Sequence, residues 1–306
     1  MFSNREKDMA RIWKRRFIIL LTAFILLFSA TTFIVYANYD YIAFKLFISK
    51  FYIYTDTLDK LNKNELKTDV NGNYFKYLDD LAIASVSEKI RELNNDKYTY
   101  LYLPEQFQKY KSEEKEEASL SFNKELSSET IYVKITNFSK YTASYLKDNK
   151  DTLIKYPNII IDMRDNYGGD TSALYKMAEM YLPKGATLST DSLRVLSKTY
   201  KASGKKVFDH NKIVILQNKN SASSAENFIA ALKDNLPNVT LVGDTTYGKG
   251  IGQFTFNLKN GFAFKGTIMK WFTPNGVNIQ GSGIKPDIYY NNDDIVYYAQ
   301  KLIEEK

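Results

Sequence analysis

KIVILQNKNSASSAENFIAALKDNLPNVTLVG, Lys212 to Gly243, decides the fold. KIVILQ is a short unbroken apolar run, the pattern of a strand buried on both faces. AENFIAALKDNL (225–236) places its apolar residues at helical spacing, and VTLVG (239–243) is another buried strand. Strand, helix and strand follow one another through short loops, which predicts a parallel or mixed α/β sheet. Upstream, TIYVKI (130–135) and NIIIDM (158–163) read as further strands, and SALYKMAEMYL (172–182) as an amphipathic helix. Downstream, QFTFNL and FAFKGTIM flank Asn260-Gly261, residues that supply the positive φ angles of a tight hairpin turn.

The 306 residues allow one or two domains with a sizeable core. With 42 Lys+Arg against 35 Asp+Glu the net charge is +7, spread along the chain, and no basic stripe marks a nucleic-acid groove. The absence of cysteine excludes a disulfide framework, a thiolate metal site and a cysteine nucleophile. No metal-ligand spacing of the H-E-x-x-H kind is present, and neither a metal nor a cofactor is expected.

The N-terminus carries a basic stretch (residues 1–16), then FIILLTAFILLFSATTFIVYA, Phe17 to Ala37, without a charge. At about 1.5 Å per residue that run spans a hydrocarbon core of about 30 Å. The positive-inside rule makes 1–16 a cytoplasmic tail, 17–37 a transmembrane anchor and the remainder extracytoplasmic. A cleaved signal peptide is the other reading, with Val35 and Ala37 as the small residues of the site, but the apolar run exceeds a usual signal core. Residues 38–115 read as an extracytoplasmic helical region, with Tyr41, Phe44, Ile48 and Phe51 at helical spacing and Leu58, Leu61, Leu66, Leu78, Leu81 and Ile83 continuing less regularly. Whether this region forms a dimer contact or covers the core stays open. The charge run KYKSEEKEEAS, Lys109 to Ser119, reads as a solvated boundary, with the second domain at 116–306.

Three stretches carry candidate chemistry. GDTTYGKG (243–250) has the outline of a phosphate loop, but Gly250 stands where Ser or Thr would hold Mg²⁺, and a strand pattern follows instead of a helix. Lys249 between glycines instead suits burial, which lowers a lysine's pKa until it can accept a proton. SASSAE (221–226) sits where a buried strand opens into a helix, at the sheet edge that carries sites in open α/β folds. Ser223-x-x-Glu226 is also a capping box, and the two roles are compatible, since a helix N-terminus helps stabilise an oxyanion. RDNYGGD (164–170) follows another strand, where Gly168-Gly169 offers a bare backbone N–H or simply an ordinary turn; Asp162 and Arg164 read as holding that loop. The single histidine, His210, lies in a polar turn, so a Ser-His-Asp arrangement is not expected.

Together IIIDMRDNYGG, ILQNKNSASSAENFIAALKD, LVGDTTYGKGIGQ and KWFTPNGVNIQGSGIKPDI resemble the carboxyl-terminal processing proteases, serine peptidases of family S41. The resemblance covers roughly residues 80–290 and implies a catalytic core with a mixed β-sheet flanked by helices. It implies Ser223 as nucleophile, Lys249 as general base and Gln253 as its assistant. The implied oxyanion donors are Gly168 or Gly169 together with Ser224. Ser224 replaces the family's usual alanine, which makes it the rival nucleophile. NNDKYTYLYLPEQFQKY (94–110) resembles the segment that precedes the family's PDZ domain, yet too few residues separate it from TIYVKI to hold one. The expected activity is cleavage of protein or peptide substrates by a Ser-Lys dyad at the cell membrane, with no nucleic-acid partner. The competing readings are a non-catalytic peptide-binding module on the same fold and a Ser/Lys hydrolase of non-peptide substrates.

Overall fold

The computed structural model describes residues 4–63 and 80–305, so Leu66 and Leu78 of the N-terminal apolar pattern lie outside the described residues. Helix α1 (Asn4–Ala37) takes in most of the basic stretch as well as the apolar run. It is long and apolar enough to cross a membrane and buries none of that stretch, as suits a membrane anchor or a signal sequence. Helices α2 (Tyr39–Lys50), α3 (Thr57–Lys63) and α4 (Asp80–Asn94) follow, then strand β1 (Tyr100–Tyr102) and helix α5 (Pro104–Ala118). The charge run Lys109–Ser119 is therefore helical as far as Ala118, and α5 occupies the chain where the family resemblance would insert a PDZ domain.

The main sheet is built from β2 (Phe122–Ser127), β3 (Thr130–Lys134), β4 (Asn158–Asp162), β7 (Lys212–Gln217), β8 (Val239–Gly243) and β11 (Ile288–Tyr289). Its order is β11-β8-β7-β4-β3-β2, parallel throughout except for β2 at the edge. Helices α6 (Lys140–Asp148), α7 (Lys150–Leu153), α8 (Thr171–Ala178) and α9 (Ser224–Asn235) connect these strands. Strand periodicity sorts the core into two layers. Ile159, Ile161, Ile213 and Ile215 pack toward α8 and α9, whereas Ile160, Val214 and Leu216 pack on helix α10 (Ile295–Glu304). The mixed α/β core expected from the residues is thus the architecture observed.

A second, antiparallel sheet is organised by β10 (Ala263–Phe272), which pairs with β1, β5 (Thr187–Leu193) and β9 (Ile251–Asn257); β6 (Ser197–Lys201) extends it beyond β5. The β9–β10 turn has Asn260 at φ 56° and Gly261 at φ 84°, the positive angles its sequence demands. β10 alternates sharply. Phe264 and Gly266 face α2, and Gly266 leaves room for the Phe47 ring; Lys265, Thr267 and Met269 belong to the other face.

Helices α2, α3 and α4 of the region 38–115 are fastened to this sheet. Tyr41, Phe44, Phe47 and Ile48 of α2 are buried with Phe264, Leu258, Ile83 and Ile90, while Phe51 of the predicted stripe is exposed. Phe264 is fully buried, edge-on to Phe44 at 5.0 Å and to Phe47 at 5.4 Å. Truncating it leaves a cavity at the junction of helices and sheet. Phe264→Ala should cost about 3–5 kcal/mol, measured as a lower urea midpoint with an unchanged slope.

Candidate active site

The C-terminal ends of β4 and β7 and the loop after β8 converge, as open parallel sheets require of their sites. Ser223, Lys249, Gln253, Gly168 and Gly169 all line one cleft of about 570 Å³. Ser224 stands outside that lining, and its hydroxyl donates to the Gly169 carbonyl at 2.9 Å. The rival nucleophile is therefore engaged in holding the glycine loop.

Ser223 adopts φ 56°, ψ −116° at the junction of loop and α9. For a residue with a Cβ this backbone is strained, and it persists only where neighbours over-determine it, as in the sharp turns that present nucleophiles. The neighbours are evident. Ala222 N–H donates to Asn166 O at 2.9 Å, and Ser221 Oγ donates to Met163 O at 2.8 Å. Gly168, at φ 100°, lies flat against the elbow: a Cβ there would come within 2.9 Å of Ser223 Cβ and Ser224 N.

Glu226, one turn into α9, is fully buried. Its Oε2 accepts from Ser223 N–H (2.8 Å) and Lys249 N–H (2.8 Å), and its Oε1 from Thr246 Oγ1 (2.6 Å) and Gly248 N–H (2.6 Å). One carboxylate thus ties the serine turn to the lysine loop. Burial pushes its pKa above the ordinary value, against the pull of these four donors. The other side of the lysine loop is held by the end of β10 and the segment that follows it. Trp271 Nε1 donates to Lys249 O (2.9 Å), Asn278 Nδ2 to Gly250 O (2.8 Å), and Gly250 N–H to Gln280 Oε1 (2.8 Å). Gly248, at φ 86°, packs so close to Gly283 and Ser282 that no side chain fits.

The Lys249 side chain is lowered to a pKa of about 8, first by burial, then by the positive charge of Lys265; Glu226 and Asp96 oppose the shift. Its Nζ lies 4.6 Å from the centre of the Tyr98 ring. Tyr98 in turn donates to Tyr247 OH at 3.3 Å, and Lys97 also bonds that hydroxyl. Gln253 Nε2 makes a long bond (3.4 Å) to Thr267 Oγ1, which donates to the buried Asp96 at 3.1 Å. Asp96 further accepts from Tyr52 OH (2.8 Å) and Thr99 Oγ1 (2.6 Å). The turn Asp96–Tyr98, which follows α4, therefore reaches Lys249 directly and Gln253 through Thr267. Reading the residues alone misses Asp96, Tyr98 and the bridging role of Glu226; the only signal was Glu226 as a helix cap.

Of the glycine pair, the Gly168 N–H donates to Asn166 Oδ1 at 2.9 Å, while the Gly169 N–H has no partner among the described residues. Asp162 accepts from Arg164 (2.6 Å) and Tyr132 OH (2.7 Å) and holds the loop, as expected. His210 is buried away from the cleft, with Nδ1 against Tyr156 O at 2.9 Å.

With this geometry in hand, comparison with known proteins is direct. The model of peptidase family S41 matches residues 129–290, and the chain belongs to that family. Among its relatives are a probable CtpA-like serine protease of Staphylococcus aureus strain N315, 32% identical over 243 residues (74% of this chain, 46% of that protein). Another, of Staphylococcus haemolyticus, is 35% identical over 173 residues (51% of this chain, 34% of that protein). The chain spans under half the length of these curated relatives. Two solved structures share the fold: a lipoprotein from Streptococcus agalactiae (TM-score 0.68, 18% identity, covering 88% of this chain and 96% of that one) and a photosystem II D1 C-terminal processing protease (TM-score 0.60, 16% identity, 82% and 92%).

Because Glu226 accepts only from donors, an amide in its place turns an N–H toward N–H groups. Glu226→Gln should lower unfolding stability by about 2–4 kcal/mol, measured by denaturant titration, with the loss carried by separation of the two loops.

Proposed function

We propose that the chain is a membrane-anchored, extracytoplasmic serine endopeptidase with a Ser223–Lys249 dyad. The observation that carries this is the shared cleft, lined both by a strained serine and by a half-buried lysine with a pKa of about 8. Neutral Lys249 takes the Ser223 proton as Oγ attacks a peptide carbonyl. The Gly169 and Ser224 N–H groups hold the oxyanion, the latter an orphan donor of the first turn of α9. The protonated lysine then gives its proton to the leaving amine. Water hydrolyses the acyl-enzyme with the same lysine as base. Gln253, fixed through Thr267 and Asp96, orients the lysine.

Membrane attachment rests on α1 and its basic flank. In place of a PDZ domain the chain carries α5, whose Glu113, Glu114 and Glu117 line the cleft mouth. A dimer through the helical region is left to the mass of the purified chain.

Cleavage of an unfolded protein should vanish in Ser223→Ala and Lys249→Ala and survive in Ser224→Ala. The sign of the pH dependence follows from the lysine: its active form is the neutral one, so the rate rises through about pH 8 and levels above it. Tyr98→Ala admits water to Lys249, and the midpoint should move upward toward the ordinary lysine range. A profile flat from about pH 6 to 9 in the parent chain contradicts a lysine base.

A further inference from the structure

A groove of about 820 Å³ opens from the cleft beside α8, and Glu114 and Asp170 line both. Asp170 directly follows the Gly168–Gly169 pair, so a polypeptide seated at that pair and continuing past it enters the groove. One wall is α6, where Lys140, Ala143, Ser144 and Lys147 fall on one helical face. The facing wall is α8, with Ser172, Ala173 and Lys176, and Lys150 and Lys205 add to the lining. The lining thus combines small side chains, Ala143, Ser144, Ser172 and Ala173, with an excess of lysine.

Five lysines outnumber the three acids of the lining, Glu114, Asp170 and Glu179, and Glu114 feels the charge of Lys140 without forming an ion pair with it. Glu179 is occupied by Ser203 Oγ (2.6 Å), Ser203 N–H (3.2 Å) and Lys205 (3.1 Å). Asp170 caps α8, accepting from Ala173 N–H (2.8 Å) and Ser172 Oγ. Lys140, Lys147, Lys150 and Lys176 form no ion pair among the described residues. Like charges on one concave wall repel, and a concave wall also focuses their field on whatever enters. No arginine lines the groove. Lysine offers a compact point charge on a flexible stem rather than a rigid fork, which suits carboxylates spaced along an extended chain.

We infer that this groove is a substrate subsite that selects an acidic segment, rich in Asp and Glu, lying several residues from the scissile bond. The inference rests on the peptidase reading for its consequence but not for its binding. The test uses the full chain in detergent carrying Ser223→Ala, with fluorescent peptides identical except for one end made of Glu, Gln or Lys. Anisotropy should give the Glu peptide at least about tenfold tighter binding than the Gln peptide at low salt, the gap closing as salt rises. Lys140→Gln combined with Lys147→Gln and Lys176→Gln should erase that gap and leave the Gln peptide's affinity unchanged; the corresponding Glu triple should invert it. In the Ser223 chain the preference should appear in KM, not kcat. Equal binding of Glu and Gln peptides, or a preference that survives the triple change, overturns the inference. So does inorganic polyphosphate that binds through these lysines without displacing the Glu peptide. Charge-selective binding without any cleavage by the Ser223 chain upholds the groove and sinks the peptidase reading instead.

Discussion

One buried carboxylate organises the site. Glu226 holds the backbone N–H of Ser223 and that of Lys249 on the same oxygen. A carboxylate out of water is costly unless its lone pairs are filled, and here four donors from two loops fill them. The loops cannot separate without exposing an unpaired buried charge. The strain at Ser223, the close packing at Gly168 and the crowded turn at Gly248 are tolerable because this node fixes all three neighbourhoods at once. The same node explains why Ser223 and Lys249, the proposed dyad, come together at the edge of one sheet.

The lysine is tuned by what surrounds it rather than by a dedicated partner. Burial lowers its pKa, and the ring of Tyr98 supplies part of the cover. That ring comes from the turn that joins α4 to β1, outside the stretch that matches the family model. The N-terminal helices, packed on Phe264, thereby bear on the cleft: they bring Tyr98 to Lys249 and Asp96 to Thr267, the partner of Gln253. Neighbouring elements extend the cleft outward, α5 with glutamates at its mouth and α6 with α8 as a lysine-lined continuation.

The main sheet was legible in the sequence because doubly buried strands read as unbroken apolar runs and their connecting helices as amphipathic ones; NIIID and KIVILQ lie as β4 and β7 where their patterns place them. Placing Ser223, Lys249, Gln253 and the glycine pair in one cleft was legible through the motifs. Other features depend on contacts distant in the chain. Nothing local in NNDKYTY announces that its aspartate will be buried under β10 or its tyrosine set beneath a lysine. The run KYKSEEKEEAS looks solvated because charges dominate it, yet Phe107 and Ala118 anchor the helix and bring three of its glutamates to the cleft. Adjacent serines have equal chemistry in a sequence; in the structure Ser223 lines the cleft on a strained backbone, whereas Ser224 is buried and bonded to the Gly169 carbonyl.

The most direct test of a serine activated by this lysine is its acylation. The full chain would be treated with a fluorophosphonate across pH 6 to 10 and the modified residue located by peptide mass. The account predicts a single adduct on Ser223, forming faster as pH rises through about 8 and strongly slowed by Lys249→Ala. An adduct on Ser224, no adduct, or labelling indifferent to pH and to Lys249 would contradict it.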